Sequence, residues 1–201
     1  MLREISALGR KSVDLLVATH PDWVNVILDN FDAFLQDHAN CERKASALAM
    51  SLVVKYPDRA LIVADLIDLA VEELAHFRQV YALMRQRGVP LVKDTPDPYV
   101  NALIALMRHG REERFLDRML VSSAVECRGA ERFGIIARSV TDPELRDFYH
   151  GLWKSERKHG HQFVDLVLRY FEPAVVYPRL EELLAREAEI IERLEWRPSL
   201  H

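Results

Sequence analysis

Apolar residues recur every three or four positions along most of the chain, the spacing of α-helices with one buried face. Three turn signals interrupt the pattern: YPD at Tyr56–Asp58, RGVP at Arg87–Pro90 and TDPE at Thr141–Glu144. The pattern predicts four long helices. The first helix runs from Pro21 to Tyr56, with a possible bend near Asp37–Asn40, and the second ends near Arg87. The third helix covers about Glu112–Ser139, and the fourth ends near Phe171.

Two shorter helices complete the prediction. The segment LVKDTPDPYV (91–100) contains two prolines and is typical of a crossover loop, after which a short helix is predicted to about Arg108. The amphipathic segment RLEELLAREAEIIERLEW predicts a terminal helix over about residues 178–196. No linker divides the chain, so we expect a single domain over residues 1–201. Its bundle core is predicted over about residues 21–171, with the terminal helix packed on it.

Composition narrows the fold class to all-α. A chain of 201 residues, 49% hydrophobic and 29% charged, is long enough to bury a substantial core. Only 7 glycines, together with many Leu, Ala, Arg and Glu residues, favour helix over strand and leave no Gly-rich phosphate loop.

The sequence also predicts a cytoplasmic protein that does not enter a membrane. No apolar run approaches the roughly 20 residues that span a bilayer, and charges interrupt the apolar positions of the first stretch, MLREISALGRKSVDLL, unlike a signal peptide. The two cysteines, Cys41 and Cys127, suit a reducing compartment. The net charge of −4 argues against a surface coated in basic residues, but it leaves room for a local basic patch.

An acid and an imidazole interrupt the apolar stripe of the second helix. Glu73 and His76 are three residues apart and share one helix face, and Glu156 and His159 repeat this spacing in the fourth helix. About 0.7 pairs with this spacing are expected by chance, so two pairs alone are weak evidence for a site. Their positions in the apolar stripes must show whether the two pairs face the core. The stripes are Ile62, Leu66, Leu69, Glu73, His76, Val80, Leu83 and Leu145, Tyr149, Leu152, Glu156, His159, Phe163, Leu166.

Two further glutamates have inward positions in the first and third helices. Glu42 precedes Glu73 by 31 residues and Glu126 precedes Glu156 by 30, each the length of a helical hairpin that returns to the same level. The turn residues Asp58 and Asp142 follow Glu42 and Glu126 by 16 residues each, which indicates an internal duplication. We therefore expect all six side chains to meet in the centre of one bundle.

Metal binding explains such a cluster best. Burying one isolated carboxylate costs several kcal/mol, and four together also repel one another, whereas two divalent cations cancel their charge. Mixed oxygen and imidazole ligation suits iron or manganese. The arrangement matches that of ferritin-like di-iron and di-manganese bundles. The predicted fold is thus a ferritin-like four-helix bundle with additional terminal and crossover helices.

Two neighbours of these residues are interpreted differently. His38 lies four residues before Glu42 on the same face, and we expect it beside the ligands rather than among them. Glu131 is about 140° round the helix from Glu126 and should reach solvent or Arg128.

Four stretches, DHANCERKAS, EELAHF, ECRGAERF and SERKHGHQFV, resemble the bacterial tRNA hydroxylase family that acts on 2-methylthio-isopentenyladenosine beside the anticodon. The resemblance spans about Asp37–Phe171. It implies that two iron ions are held by Glu42, Glu73, His76, Glu126, Glu156 and His159. It further implies that reduced iron and O2 hydroxylate the isopentenyl side chain of the base at position 37. The electrons come from an external donor protein, since no flavin or nicotinamide fingerprint is present.

The resemblance also implies tRNA as the partner. Three sets of cations could face the anticodon-loop phosphates or form an ordinary solvated helix face. They are Arg108, Arg111, Arg114 and Arg118; Arg128 and Arg132; and Lys154, Arg157 and Lys158. Five small residues could leave room for O2 and a prenyl group or serve close helix packing. They are Ala45, Ala49, Ser123, Gly129 and Ala130.

Two alternatives stay open at this point. One keeps the metals and changes the activity, to another ferritin-like di-iron or di-manganese oxidase, or a protein that handles peroxide or iron. The other is a metal-free helical interaction protein.

Overall fold

The computed structural model describes residues 13–201. The expectation that the chain does not begin with a signal peptide rests mainly on residues 1–12, which lie outside the described part. Every regular element within residues 13–201 is helical, which confirms the all-α prediction. In chain order the helices are α1 Trp23–Asp29, α2 Phe31–Lys55, α3 Val63–Arg87, α4 Pro98–Ala105, α5 Arg111–Ser139, α6 Pro143–Val167 and α7 Pro173–Arg193. None of the helices in this range is both long and apolar enough to cross a bilayer.

The described residues form two compact units, each built on one long helical hairpin. The first unit comprises Asp22–Thr95 and Trp196–Leu200 and contains α1 to α3. The second comprises residues 13–21, Pro96–Glu195 and His201 and contains α4 to α7.

The first unit is organised by the packing of α2 on α3. The prediction of one helix from Pro21 to Tyr56 is wrong at Asn30, whose φ of −133° and ψ of 41° lie outside the helical region. The Asn30 side-chain amide donates to the Val26 carbonyl oxygen at 3.1 Å and so competes with helix propagation. By contrast, α2 runs without a break through Asp37–Asn40.

The two ends of α3 follow the turn signals. A single 3₁₀ turn, Ala60–Ile62, leads into α3, and Gly88 ends it with a φ of 71°. That left-handed conformation favours glycine because a Cβ would be strained there.

The second unit is organised by the hairpin of α5 and α6, with α7 packed on α4 and α5. The Asp142 carboxylate accepts from the Glu144 backbone N–H at 2.8 Å and caps α6, as the TDPE signal predicts. The prediction that α7 begins near residue 178 is wrong, because α7 begins at Pro173 and includes Pro178. Pro178 loses only one backbone hydrogen bond near the helix start, and burial of Val176 and Tyr177 offsets that loss.

The helices α5 and α6 are in close contact at Gly160. A Cβ at this position would overlap the Cys127 sulfur and lie 3.3 Å from the Ser123 carbonyl oxygen. The Ser123 hydroxyl donates to the Gly160 carbonyl oxygen at 2.6 Å across the same contact. Glycine is therefore required for the helix spacing here, and Ser123 serves close packing rather than an open space.

Candidate metal centre

The hairpin of the first unit brings together the three predicted metal ligands that it carries. Glu42 of α2 and Glu73 and His76 of α3 are all buried, in the inward positions that the apolar stripes predict. Each offers a ligand atom within 4.8 Å of the others. The Nδ1 atom of His76 lies 3.4 Å from Glu73 Oε2 and 3.7 Å from Glu42 Oε2.

His38 fixes the orientation of the Glu42 carboxylate. Its ring is fully buried and stacks on Phe34, with ring centroids 5.6 Å apart. Its Nε2 donates to Glu42 Oε1 at 2.7 Å. Because Oε1 is held in this way, Oε2 is the oxygen that faces His76.

The hairpin of the second unit repeats the arrangement. Glu156 and His159 of α6 are buried, and His159 Nδ1 lies 2.8 Å from Glu156 Oε2. Glu126 of α5 is half-buried, and the three residues again offer ligand atoms within 4.8 Å of one another. The position four residues before Glu126 is occupied by Ser122, whose hydroxyl donates to the Arg118 carbonyl oxygen at 2.8 Å. The second hairpin thus lacks a counterpart of His38.

The donor set of each hairpin fits a divalent transition metal. Two carboxylates and one imidazole, buried or half-buried, provide mixed oxygen and nitrogen ligation of the kind that iron and manganese accept. Two carboxylates held this closely repel each other in a low-dielectric interior unless a cation or protons neutralise them. The chemistry of the residues therefore agrees with one metal position per hairpin.

The face of α5 opposite Glu126 carries a buried ionic network. Arg128 donates from Nε to Glu187 Oε1 at 2.9 Å and from Nη2 to Glu187 Oε2 at 3.1 Å, and the Tyr99 hydroxyl donates to Oε1 at 2.9 Å. Burial lowers the pKa of Arg128, but the Glu187 carboxylate raises it, with a net rise. Burial, followed by repulsion from Arg128, lowers the pKa of Arg132 to about 10.

This network shows that the prediction of a basic surface at Arg128 and Arg132 is wrong. Arg128 and Arg132 are buried and cannot face RNA. Glu131 accepts from Arg128 and from the Thr19 hydroxyl, as expected of a residue that points away from the metal ligands. The sequence interpretation missed Glu187, although it interrupts the apolar stripe of α7 just as Glu73 interrupts that of α3.

A second buried acid, Asp117, forms an ion pair with Arg108, a member of the first predicted cation set. Its carboxylate accepts from Arg108 at 2.8 Å and from Arg179 at 2.9 Å and is fully buried. Burial raises the pKa of Asp117, but the two arginines outweigh it, so that the pKa lies below its ordinary value. Arg108 thus joins the end of α4 to α5 through Asp117, although its side chain remains 44% exposed.

Three comparisons relate the chain to known proteins. The family described as tRNA-(MS2IO6A)-hydroxylase (MiaE) matches residues 7–201. The chain is 36% identical over 173 residues to the tRNA 2-(methylsulfanyl)-N(6)-isopentenyladenosine(37) hydroxylase of Pseudomonas putida, covering 86% of this chain and 84% of that protein. The hydroxylase of the same name from Salmonella typhimurium is 30% identical over 105 residues, which are 52% of this chain and 38% of that protein.

A solved structure from Synechococcus, described as protein 43 with aldehyde deformylating oxygenase activity, superposes with a TM-score of 0.88. It is 33% identical, and the match covers 93% of this chain and 94% of that one. The likeness confirms the predicted fold class, an all-α ferritin-like bundle.

Proposed function

The chain belongs to the tRNA-(MS2IO6A)-hydroxylase (MiaE) family, and on that premise we propose that it hydroxylates the isopentenyl side chain of 2-methylthio-isopentenyladenosine at position 37 of tRNA. The observation that carries this proposal is the 36% identity to the Pseudomonas putida hydroxylase over 86% of the chain. The protein is a tRNA-modifying enzyme, and it acts in the cytoplasm, where tRNA is available.

Two iron ions are the cofactor of the proposed reaction. The residues that hold them are Glu42, Glu73, His76, Glu126, Glu156 and His159. The clustering of three of these residues in each hairpin, and the suitability of carboxylate and imidazole donors for iron, support the assignment. When bound, the iron pair supplies the redox chemistry by which O2 becomes able to attack a C–H bond.

The reaction needs an external reductant. One oxygen atom of O2 enters the C–H bond of the prenyl group, and the other leaves as water, which consumes two electrons and two protons. An electron-transfer protein supplies these electrons, since the chain has no flavin or nicotinamide fingerprint.

The surrounding residues hold the ligands in place and limit water. His38 holds the Glu42 carboxylate at 2.7 Å, so that this ligand does not need to reorient when a metal binds. The contact between Ser123 and Gly160 fixes the spacing of α5 and α6 next to Glu126 and His159. Burial of five of the six ligands keeps bulk water from the oxidising centre.

The test is hydroxylation by the reconstituted enzyme. The protein is loaded with Fe²⁺ without oxygen and then mixed with O2, a reductant and tRNA carrying the modified base, and the tRNA nucleosides are analysed by mass spectrometry. We expect a product heavier by one oxygen, labelled when ¹⁸O2 is used. Glu156→Gln is the inactive control, because it removes a proposed ligand. Absence of product with a fully metallated protein would refute the proposed substrate.

A second candidate follows from the Synechococcus likeness at 33% identity, because that protein is described as an aldehyde deformylating oxygenase. The same preparation is offered a long-chain aldehyde, and loss of one carbon as formate is measured. Formate release without tRNA hydroxylation would favour this candidate.

A further inference from the structure

The outer face of α6 presents cations beside a half-buried aromatic ring. Lys154, Arg157 and Lys158 are exposed, and Trp153 and His161 are half-buried next to them. We name these five residues the α6 basic face. Lys154 and Lys158 are one turn apart, about 6 Å along the axis, and each lies about 200° round the helix from the buried Glu156. The cations therefore point away from the predicted ligands but lie at the same level of α6.

The side chains of this face line a shallow pocket of about 550 Å³. Gln162 and Asp165 complete its lining, and Asp165 is the single acid there. A second pocket of about 320 Å³, next to it, shares Trp153, Arg157 and His161. The first pocket thus combines one negative charge with three positive charges, whereas the second pocket adds the carboxylates of Asp14 and Glu131.

The ring of Trp153 is placed for stacking. It packs against Gly134, where a Cβ would lie 3.1 Å from its Cδ1 atom, so the indole is seated firmly on α5. The guanidinium of Arg157 lies over the indole ring, 5.7 Å from its centroid. An aromatic ring next to exposed cations is a combination that binds unpaired bases together with phosphates.

Four other cations of this unit are engaged inside the fold. Arg128 and Arg132 are buried, and Arg108 and Arg179 bind the buried Asp117. Among residues 13–201 no carboxylate forms an ion pair with Lys154 or Lys158. Of the three cation sets that the sequence suggested, the Arg128 and Arg132 set is buried and the first set has Arg108 bound to Asp117, whereas all three cations of the α6 set are exposed.

We propose that the α6 basic face binds the phosphate backbone of the tRNA anticodon stem-loop, with Lys154 and Lys158 on phosphates and Trp153 with Arg157 against an unpaired loop base. This inference rests on the proposed function, since it names the surface that holds the tRNA substrate. The exposed cations favour RNA by charge complementarity, and the aromatic ring beside Arg157 favours RNA over an acidic redox protein, for which charge alone would suffice.

The test compares two double charge reversals in the full-length, iron-loaded protein. Lys154→Glu with Lys158→Glu removes the proposed phosphate contacts, and Lys55→Glu with Lys93→Glu makes the same charge change at exposed lysines of the other unit. Binding of a synthetic anticodon stem-loop carrying isopentenyladenosine is measured by fluorescence anisotropy at several salt concentrations. Iron content and thermal unfolding of both variants verify that each is folded.

We expect the Lys154/Lys158 variant to raise the Kd by roughly 10- to 100-fold, and to reduce the slope of log K against log salt by about 1.4 to 1.8, the value for two lost phosphate contacts. The Lys55/Lys93 variant should change the Kd by less than about threefold, because neither lysine belongs to the α6 basic face and salt screens the general effect of net charge. The loss in kcat/KM should match the loss in affinity.

Two results would overturn the inference. Equal Kd values for both variants would exclude the α6 basic face as the RNA site, and the hydroxylation assay on the parent enzyme would still decide the proposed function by itself. Unchanged RNA affinity with slower turnover from a protein reductant, but normal turnover from dithionite, would assign the face to the electron donor. Conversely, weakened RNA binding in a protein that hydroxylates nothing would support the surface and refute the activity.

Discussion

Replacing Glu187 by alanine should destabilise the fold strongly. Both Glu187 and Arg128 are fully buried, and the carboxylate accepts two hydrogen bonds from Arg128 and one from Tyr99. Removing one partner of a buried ion pair leaves an uncompensated charge and costs roughly 3–5 kcal/mol. For a chain of this size, 1 kcal/mol corresponds to about 2–4 °C, so the melting temperature should fall by about 6–20 °C.

The assay is urea and thermal unfolding of the metal-free protein followed by circular dichroism, since bound metal would add its own stabilisation. Glu182→Ala is the matched control, because Glu182 lies on the same helix but is 63% exposed and pairs with Arg179 at the surface. A pair of that kind contributes at most about 1 kcal/mol. The reasoning would be refuted if the Glu187 and Glu182 variants lost the same stability.

Three further predictions concern single side chains. Glu126→Ala should lower the iron content and abolish oxygen chemistry, whereas Glu131→Ala should keep the iron and lose only stability; equal iron losses, measured by metal analysis, would contradict the assignment. His38→Ala should weaken metal binding by roughly 10- to 100-fold, because the Glu42 carboxylate loses its orienting bond; a metal titration with no change would contradict this. Asp117 has a lowered pKa, so its stabilisation is present above pH about 3.8 and is lost as the pH falls through the folded-state value. Urea unfolding of the metal-free protein measures the free energy of unfolding of the parent and of the Asp117→Asn variant. The difference between these two free energies should therefore narrow below pH 4 and stay constant above pH 5.

The inward positions of the glutamates and histidines could be predicted because their signal is local. A polar residue inside an apolar stripe is visible wherever the stripe itself is regular, as around Glu73 in α3 and Glu156 in α6. The hairpin lengths carried the same information, since α2 ends at Lys55 and α5 at Ser139, each thirteen residues after its glutamate.

What could not be predicted depends on distant partners. The sequence shows Arg128 and Arg132 as ordinary cations, and only the return of α7 with Glu187 explains the burial of Arg128. Likewise, Asp117 is buried because Arg108 and Arg179 reach it from other helices. The break at Asn30 depends on a balance between a side-chain hydrogen bond and helix propagation, and helix periodicity does not contain that balance.

The two hairpins have nearly the same residue spacing, yet the glutamate of the first helix differs between them in burial and in the residue that lies four positions earlier. Glu42 is buried and held by His38, whereas Glu126 is half-buried and has Ser122 at the corresponding position, bonded to its own helix. Reorienting a buried, hydrogen-bonded carboxylate breaks that bond and leaves a buried polar group without a partner, which costs free energy. A partly solvated carboxylate can exchange a protein partner for water at a smaller cost. The first hairpin therefore holds its carboxylate through a buried hydrogen bond from His38, whereas the carboxylate of the second hairpin is partly accessible to water.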